Sequence, residues 1–245
     1  MATNTKSLDL ESGSTQYAQI ADAAQTGLDI TTAVTMECWV KVESFPGTWS
    51  AVLMKGNCTD FRSNYRIALN SNGSILMQYW GANNGYHNFT TTATGLIGTG
   101  TYYHIAGVYT FATAASAHIY VDGVEKAGTW TYGNGTANAV TSADPFIIGA
   151  SSGDLFDGLV DEVRIWNLIR TGTEIANNKG DQIDPTTSGL VAYYRLNDSG
   201  LDETTNNNDL TLYNTPVYST TVPFSGTYPS ATTSRLQHLS LLGVG

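Results

Sequence analysis

Charge is scarce in this chain. Of its 245 residues only 13% are Asp, Glu, Lys or Arg, and 11 are basic, leaving a net charge of −10. Nucleic-acid binding needs clustered Lys and Arg to displace counterions, and here the basic residues are scattered. No apolar run approaches the ~18 residues of a membrane-spanning helix. The opening segment MATNTKSLDL has no apolar core of a secretory signal. The chain is therefore expected to stay where it is made, to leave by lysis or a non-standard route, or to have been trimmed. The sequons at Asn57, Asn72, Asn88, Asn134 and Asn197 then carry little weight.

Cysteine is also rare. Two residues, Cys38 and Cys58, do not make a disulfide framework in a chain of this length. Cys38 shares a parity with Met36 and Val40 and reads as a small buried hydrophobe. A Cys38–Cys58 bridge is the minor alternative, since it demands a specific Cα spacing. The four histidines, His87, His104, His118 and His238, are scattered. His104 and His118 read as satisfied residues on facing hairpin strands rather than as ligands. No nucleophile elbow, zinc-protease or phosphate-loop motif is present. Helical periodicity beyond two turns is missing, and the best short helix is Thr173–Asn177.

What remains is a chain with 41% hydrophobic residues and a surface of Thr, Asn, Ser and Gly. These suit twisted sheets with many turns. Strand-like runs recur at Ala18–Ile20, Val34–Val42, Ala51–Lys55, Tyr65–Leu69, Ile75–Tyr79, His104–Tyr109, Ala117–Val121, Phe146–Ile148, Leu159–Trp166, Leu190–Leu196 and Leu210–Leu212. Asn72-Gly73, Asp122-Gly123, Asn134-Gly135 and Asp157-Gly158 between such runs are hairpin signals. The pattern predicts an all-β antiparallel jelly-roll sandwich. Residues 1–215 are expected to form the sandwich. A Pro/Ser/Thr-rich arm, 216–245, ends in an apolar tail with Leu236, Leu239, Leu241 and Leu242. The tail either wraps back on its own domain or docks onto a partner subunit.

Five segments resemble one family. The run FIIGASSGDLFDGLVDEVRIWNLIRTGTEI from Phe146 resembles a strand, loop, strand and short helix ending in T-x-x-E-I. LDLESGSTQYAQI resembles an opening strand pair. VTMECWVKV resembles a T-[IM]-E-x-W-V-K strand. YHIAGVYTFATAASAHIYVDG from Tyr103 resembles a W-H-x-A-x-V-Y … Y-V-D-G hairpin, with Tyr103 where Trp is usual. LVAYYRLNDSGLDETTNNNDLTL resembles a segment ending in D-x-x-x-N-x-[ND]. In this order they resemble the laminin-G-like jelly roll of the concanavalin A-like lectin/glucanase superfamily. The resemblance implies a domain that mostly recognises rather than transforms.

Three kinds of site follow as expectations. Calcium wants hard oxygen ligands, and Asp202, Asn206, Asn208 and Asp209, beside Asp198, supply them in one cluster. Asp154, Asp157 and Asp161, beside Glu162, form the alternative. The resemblance places Asp202 and Asn206 at family positions near a calcium-bearing rim. Asx-turns or backbone capping, or pairing of Asp161 with Arg164 or Arg195, account for the same residues without metal. A sugar surface needs aromatic plates and planar polar side chains. Tyr79, Trp80, Asn83, Asn84, Tyr86, His87 and Asn88 lie in QYWGANNGYHNF, read as strand into loop. Trp130 and Tyr132 lie in TWTYGNG, read as a loop. Plugging of the sandwich ends or a protein contact would use such aromatics equally well. Catalysis of the superfamily's glucanase kind needs alternate carboxylates in E-x-D-x-x-E, and this chain has none. Asp161 and Glu162, adjacent on a strand, should point to opposite faces.

The expected function is recognition or assembly without catalysis. The main reading is a display subunit of a larger particle, such as a phage virion decoration or fibre protein, anchored by its termini. The alternative is a stand-alone lectin-like module for glycan-dependent adhesion. Partners are expected to be protein subunits, a second copy or glycans, at a virion or other extracellular surface, with one structural Ca²⁺ as the only cofactor.

Overall fold

A computed structural model describes residues 3–57, 62–150 and 153–225. The described chain forms strands β1 (Ser7–Leu10), β2 (Tyr17–Ile20), β3 (Ala33–Ser44), β4 (Trp49–Lys55), β5 (Tyr65–Asn70), β6 (Ile75–Gly81), β7 (Gly85–Thr91) and β8 (Tyr102–Thr110). It continues through β9 (His118–Val121), β10 (Val124–Lys126), β11 (Gly128–Tyr132), β12 (Phe146–Ile148) and β13 (Asp157–Trp166). Helix α1 (Gly172–Asn178) and strands β14 (Leu190–Tyr194), β15 (Thr211–Tyr213) and β16 (Val217–Ser219) follow. Two antiparallel sheets stack as a sandwich. The first runs β10-β9-β8-β3-β13-β1-β16, with β14 also on β13. The second runs β11-β7-β6-β5-β4-β12-β2-β15.

The core follows from period-2 alternation. On β3, Val34, Met36, Cys38, Val40 and Val42 enter it, and on β5, Tyr65, Ile67 and Leu69 do. Cys38 is fully buried there, and burial pushes its thiol well up. Cys58 lies outside the described residues.

β13 departs from the expected alternation. Val160 and Val163 both enter the core although they are three apart. A bulge separates them: the pairing with β3 slips between Asp161 and Arg164, and Glu162 sits at φ 50°. The two carboxylates therefore both face outward, not to opposite faces as the sequence suggested. β3 lines one edge of β13 throughout. On the other edge β1 pairs with residues 158–160 and β14 with 163–166, so the bulge marks the handover. Asp157-Gly158 is likewise no hairpin turn. It opens β13, with Gly158 at φ 138° and its α-carbon so close to the backbone of Lys41 that a side chain would collide.

Helix α1 and the segment leading to β14 cover the outside of the first sheet. Thr171 and Glu174 form a reciprocal capping box, which starts the helix one residue before the expected position. Beneath this cover Arg164 is enclosed. Its guanidinium meets Glu162 at 3.1 Å and Glu37 at 3.9 Å, and bonds the carbonyls of Asn178 and Asp181. Glu37 also accepts from Trp166 at 2.9 Å and faces His104 at 3.4 Å. Tyr193 donates to Glu162 at 2.5 Å. Burial alone would raise the Glu37 carboxyl, but His104 and the Arg164 charge outweigh it and hold it at about 2. Burial dominates at Glu162 and Asp161 and raises both.

The segment past residue 215 does not leave the sandwich at once. β16 pairs with β1, Tyr102 donates to the carbonyl of Thr221 at 2.8 Å, and Phe224 packs 6.0 Å from Trp39. Leu236, Leu239, Leu241 and Leu242 lie outside the described residues.

Candidate functional site

The aromatic stretch 78–89 is a hairpin rather than a strand running into a loop. β6 and β7 pair from Leu76↔Thr90 to Gly81↔Gly85, and Asn84 takes the left-handed turn position at φ 60°. The stretch 129–132 is also strand, paired with β7 through Trp130↔Phe89 and Tyr132↔Asn88. Alternation then divides the expected sugar-binding residues. Tyr79, His87 and Trp130 turn inward, and Trp80, Tyr86 and Tyr132 turn outward.

The inward three plug one end of the sandwich; Tyr79 and His87 are buried, and Trp130, half-buried, also lines a hollow beside Phe89 and Ala114. Tyr79 is 2% exposed, stacks on His87 at 4.7 Å and donates to the carbonyl of Ala137 at 2.8 Å. Trp130 packs edge-on against Tyr79, Phe89 and Tyr109, and its indole N–H meets the carbonyl of Ala114 at 3.2 Å. His87 Nδ1 accepts the backbone N–H groups of Asn134 and Gly135 at 3.1 and 3.0 Å. Its proton is therefore on Nε2, which faces Asn83 Oδ1 at 3.3 Å. Burial lowers the imidazole's proton affinity, in keeping with a neutral ring. Gly135, at φ 70°, lies against the Trp130 ring with no room for a side chain. Asn83 thus serves the plug, and Asn84 the turn.

The outward residues belong to a built surface on the second sheet. Arg66, Gln78, Asn88 and Tyr132 stand side by side on β5, β6, β7 and β11, a row running across the strands. Gln78 donates to Asn88 at 2.8 Å, Arg66 reaches Gln78 at 3.5 Å, and Asp154 pairs with Arg66. Beside this polar ladder lies a row of shorter side chains, Ala51, Ala68, Leu76, Thr90 and Thr129. The step between the rows makes a trough of about 170 Å³ lined by Trp49, Arg66, Leu76, Gln78, Tyr86, Asn88 and Asp154. Tyr86 stacks on Tyr132 at 4.1 Å, and hydrogen bonding to Tyr132 raises its hydroxyl pKa. Trp80 lies 6.3 Å from Tyr86, with Arg62 over its ring at 5.4 Å, outside the trough.

Sequence reasoning missed Trp49, Arg66 and Gln78. The signal for Gln78 was the Gly- and Asn-rich stretch 81–85, where a three-residue turn over 82–84 sets 78 opposite 88. Arg66 and Trp49 gave no local signal, since sheet order alone brings them to the trough.

The residues expected to hold calcium make hydrogen bonds within the protein. The Asp202 carboxylate accepts from Tyr193 N, Thr204 N, Thr204 Oγ1 and Asn208 N at 2.8–3.0 Å. Asp209 accepts from Asp202 N at 2.8 Å, and Asn208 bonds both the N–H and the carbonyl of Thr26. Asn206 donates to Val191 O at 2.8 Å. This is the Asx capping the sequence also allowed, and it ties the 202–209 loop to β14. The alternative set is dispersed. Asp154 pairs with Arg66, Asp157 accepts from Ser12 N and Ser44, and Asp161 accepts from Asn4 and Ser7. A different acidic trio, Asp9, Glu11 and Glu43, converges with oxygens within 4.8 Å at the surface.

A family model described as concanavalin A-like lectin/glucanases superfamily matches residues 12–176, and the chain belongs to that superfamily. Among curated proteins no sequence match is found. Among solved structures, a "putative carbohydrate binding protein" from Bacteroides ovatus is similar at TM-score 0.67 and 19% identity, over 89% of this chain and 60% of that one. The chain thus spans about three fifths of that protein. A pentraxin from Limulus polyphemus is similar at TM-score 0.54 and 9% identity, over 88% of this chain and 95% of that one. The CBM40 module of the Ruminococcus gnavus IT-sialidase, solved with α2,3-sialyllactose, is similar at TM-score 0.54 and 9% identity, over 72% of this chain and 98% of that one. At such identities the likeness is one of fold.

Proposed function

Starting from that membership, we propose that the chain is a glycan-binding module and that its sugar lies in the trough on the outside of the second sheet. The carrying observation is the trough itself: aromatic walls, Trp49 and Tyr86, beside a floor of amides, Gln78 and Asn88, on rigid strands. A sugar ring has an apolar face that an aromatic plate covers. Its hydroxyls pair with planar amide groups whose position the sheet fixes. Shallow sites with few, well-placed polar groups suit recognition. The fold neighbours described as binding carbohydrate favour this reading over the display subunit.

The module reads without hydrolysing. Glycoside hydrolysis uses two carboxyl groups about 5–10 Å apart. The trough is lined by one, Asp154, which is engaged by Arg66.

Tyr86→Ala on a glycan array, with melting temperature measured alongside, tests the proposal. Loss of the signal from a folded variant is the expected result. An unchanged signal moves the site elsewhere.

A further inference from the structure

Resting on that reading of the trough, we infer that it receives one end of an uncharged glycan chain rather than an internal stretch or an acidic sugar. Two features carry this. The first is that the trough is walled on its side toward Ala51 and Met54. Toward β4 the outer face is covered: the amide of Ala51 donates to the carbonyl of Asp154 at 2.8 Å, and Leu155 packs on Ala51, Met54, Ile147 and Ala150. The Asp154 carboxylate, fixed by Arg66, stands as the end wall. In the other direction the ladder runs out to β11, the edge strand, where Tyr132 is 54% exposed. From β5 to β11 is three strand spacings, about 14 Å. A chain can enter over the Tyr86–Tyr132 stack and stop at Asp154, but it cannot continue past it.

The second feature is charge. The cation lining the trough is Arg66, which is 1% exposed and already holds Asp154. A sialic acid or uronate carboxylate would be set beside Asp154 with its counter-charge taken. The net charge of −10 adds repulsion at longer range. The end wall instead offers acceptor oxygens, which suit the hydroxyls of a terminal neutral sugar.

The test needs no guess at the sugar. The full chain is applied to an array carrying neutral and sialylated glycans. A soluble trisaccharide, hexasaccharide and polymer of the neutral sugar bound best are then titrated calorimetrically, with Tyr86→Ala in parallel. End recognition predicts a Kd per chain that stays within about twofold along the series, because each chain has one such end. A Kd that falls in proportion to chain length would mean internal binding and overturn the inference. Equal or tighter binding of sialylated glycans overturns it too. Both outcomes leave the trough as the glycan site if Tyr86→Ala still abolishes binding. An empty array, or binding indifferent to Tyr86→Ala, removes the trough reading itself and this inference with it.

Discussion

Two buried arginines stand on the outer faces of the two sheets, each 1% exposed, and their partners differ. Arg164 lies between Glu37 and Glu162, at 2% and 1% exposure, under α1 and the segment that follows it. Arg66 is held by Asp154, whose side chain is 23% exposed at the wall of a trough. In the first pair every charge is enclosed by protein, so the network can only affect stability. In the second, one member still meets solvent, together with amides and aromatics. A face that is sealed becomes part of the fold, and a face left open with ordered polar groups is free to bind.

The sharpest way to break this comparison is to remove each cation in turn. Arg164→Met takes the guanidinium from between two buried carboxylates and should cost about 3–5 kcal/mol in urea unfolding. A loss under 1 kcal/mol would show that the network is not the structural element described. Acid titration separates the members of that network. Glu37 is depressed from 4.5 to about 2, so its stabilisation is present above pH ~4.5 and is lost as pH falls toward 2. Asp161 and Glu162 are raised and run oppositely: they favour the fold at low pH and lose that contribution as pH rises through their folded values. Glu37→Gln removes only the first effect. The stability difference between wild type and variant should therefore shrink by roughly 3 kcal/mol between pH 5 and pH 2. A flat difference would separate Glu37 from acid sensitivity.

On the open face the expected effects on stability are smaller. Arg66→Met leaves Asp154 able to turn to water and should cost about 1–2 kcal/mol, with glycan binding lost. Equal losses for Arg66→Met and Arg164→Met would erase the distinction between the faces. Tyr86→Ala should weaken binding about tenfold or more, with stability changed by less than about 1 kcal/mol. Trp80→Ala, outside the trough, should weaken it by less than about threefold on the same titration. A larger effect from Trp80 than from Tyr86 would shift the site toward Arg62.

The sandwich was legible because alternation survives in most strands. Val34–Val42 and Tyr65–Leu69 show which residues face the core without any tertiary knowledge. The order of motifs from Leu8 to Leu212 indicated the jelly-roll architecture. Two things were hidden. The Gly- and Asn-rich text between Tyr79 and Phe89 resembles a loop, whereas the chain turns only over residues 82–84 and is strand on either side. That error mixed the plug, Tyr79 and His87, with the surface, Tyr86. The bulge at Glu162 was invisible for a different reason. A left-handed glutamate has no sequence signal; the pairing of β13 with β3, β1 and β14 imposes it. Trp49 and Arg66 share a trough through sheet order, the least local property of a β fold, and Asp154 reaches it from the segment between β12 and β13.

The placement of β1 and β2 has a consequence for synthesis. Each lies between a strand from residues 146–160 and a strand from residues 211–219. Until a ribosome has made β15 and β16, both early strands have at least one unpaired edge, and before β12 and β13 emerge they have two. Such edges recruit neighbouring chains. The nascent chain is thus exposed to misassembly over the stretch of synthesis that separates these strands, and neither sheet is complete until β15 and β16 have left the exit tunnel.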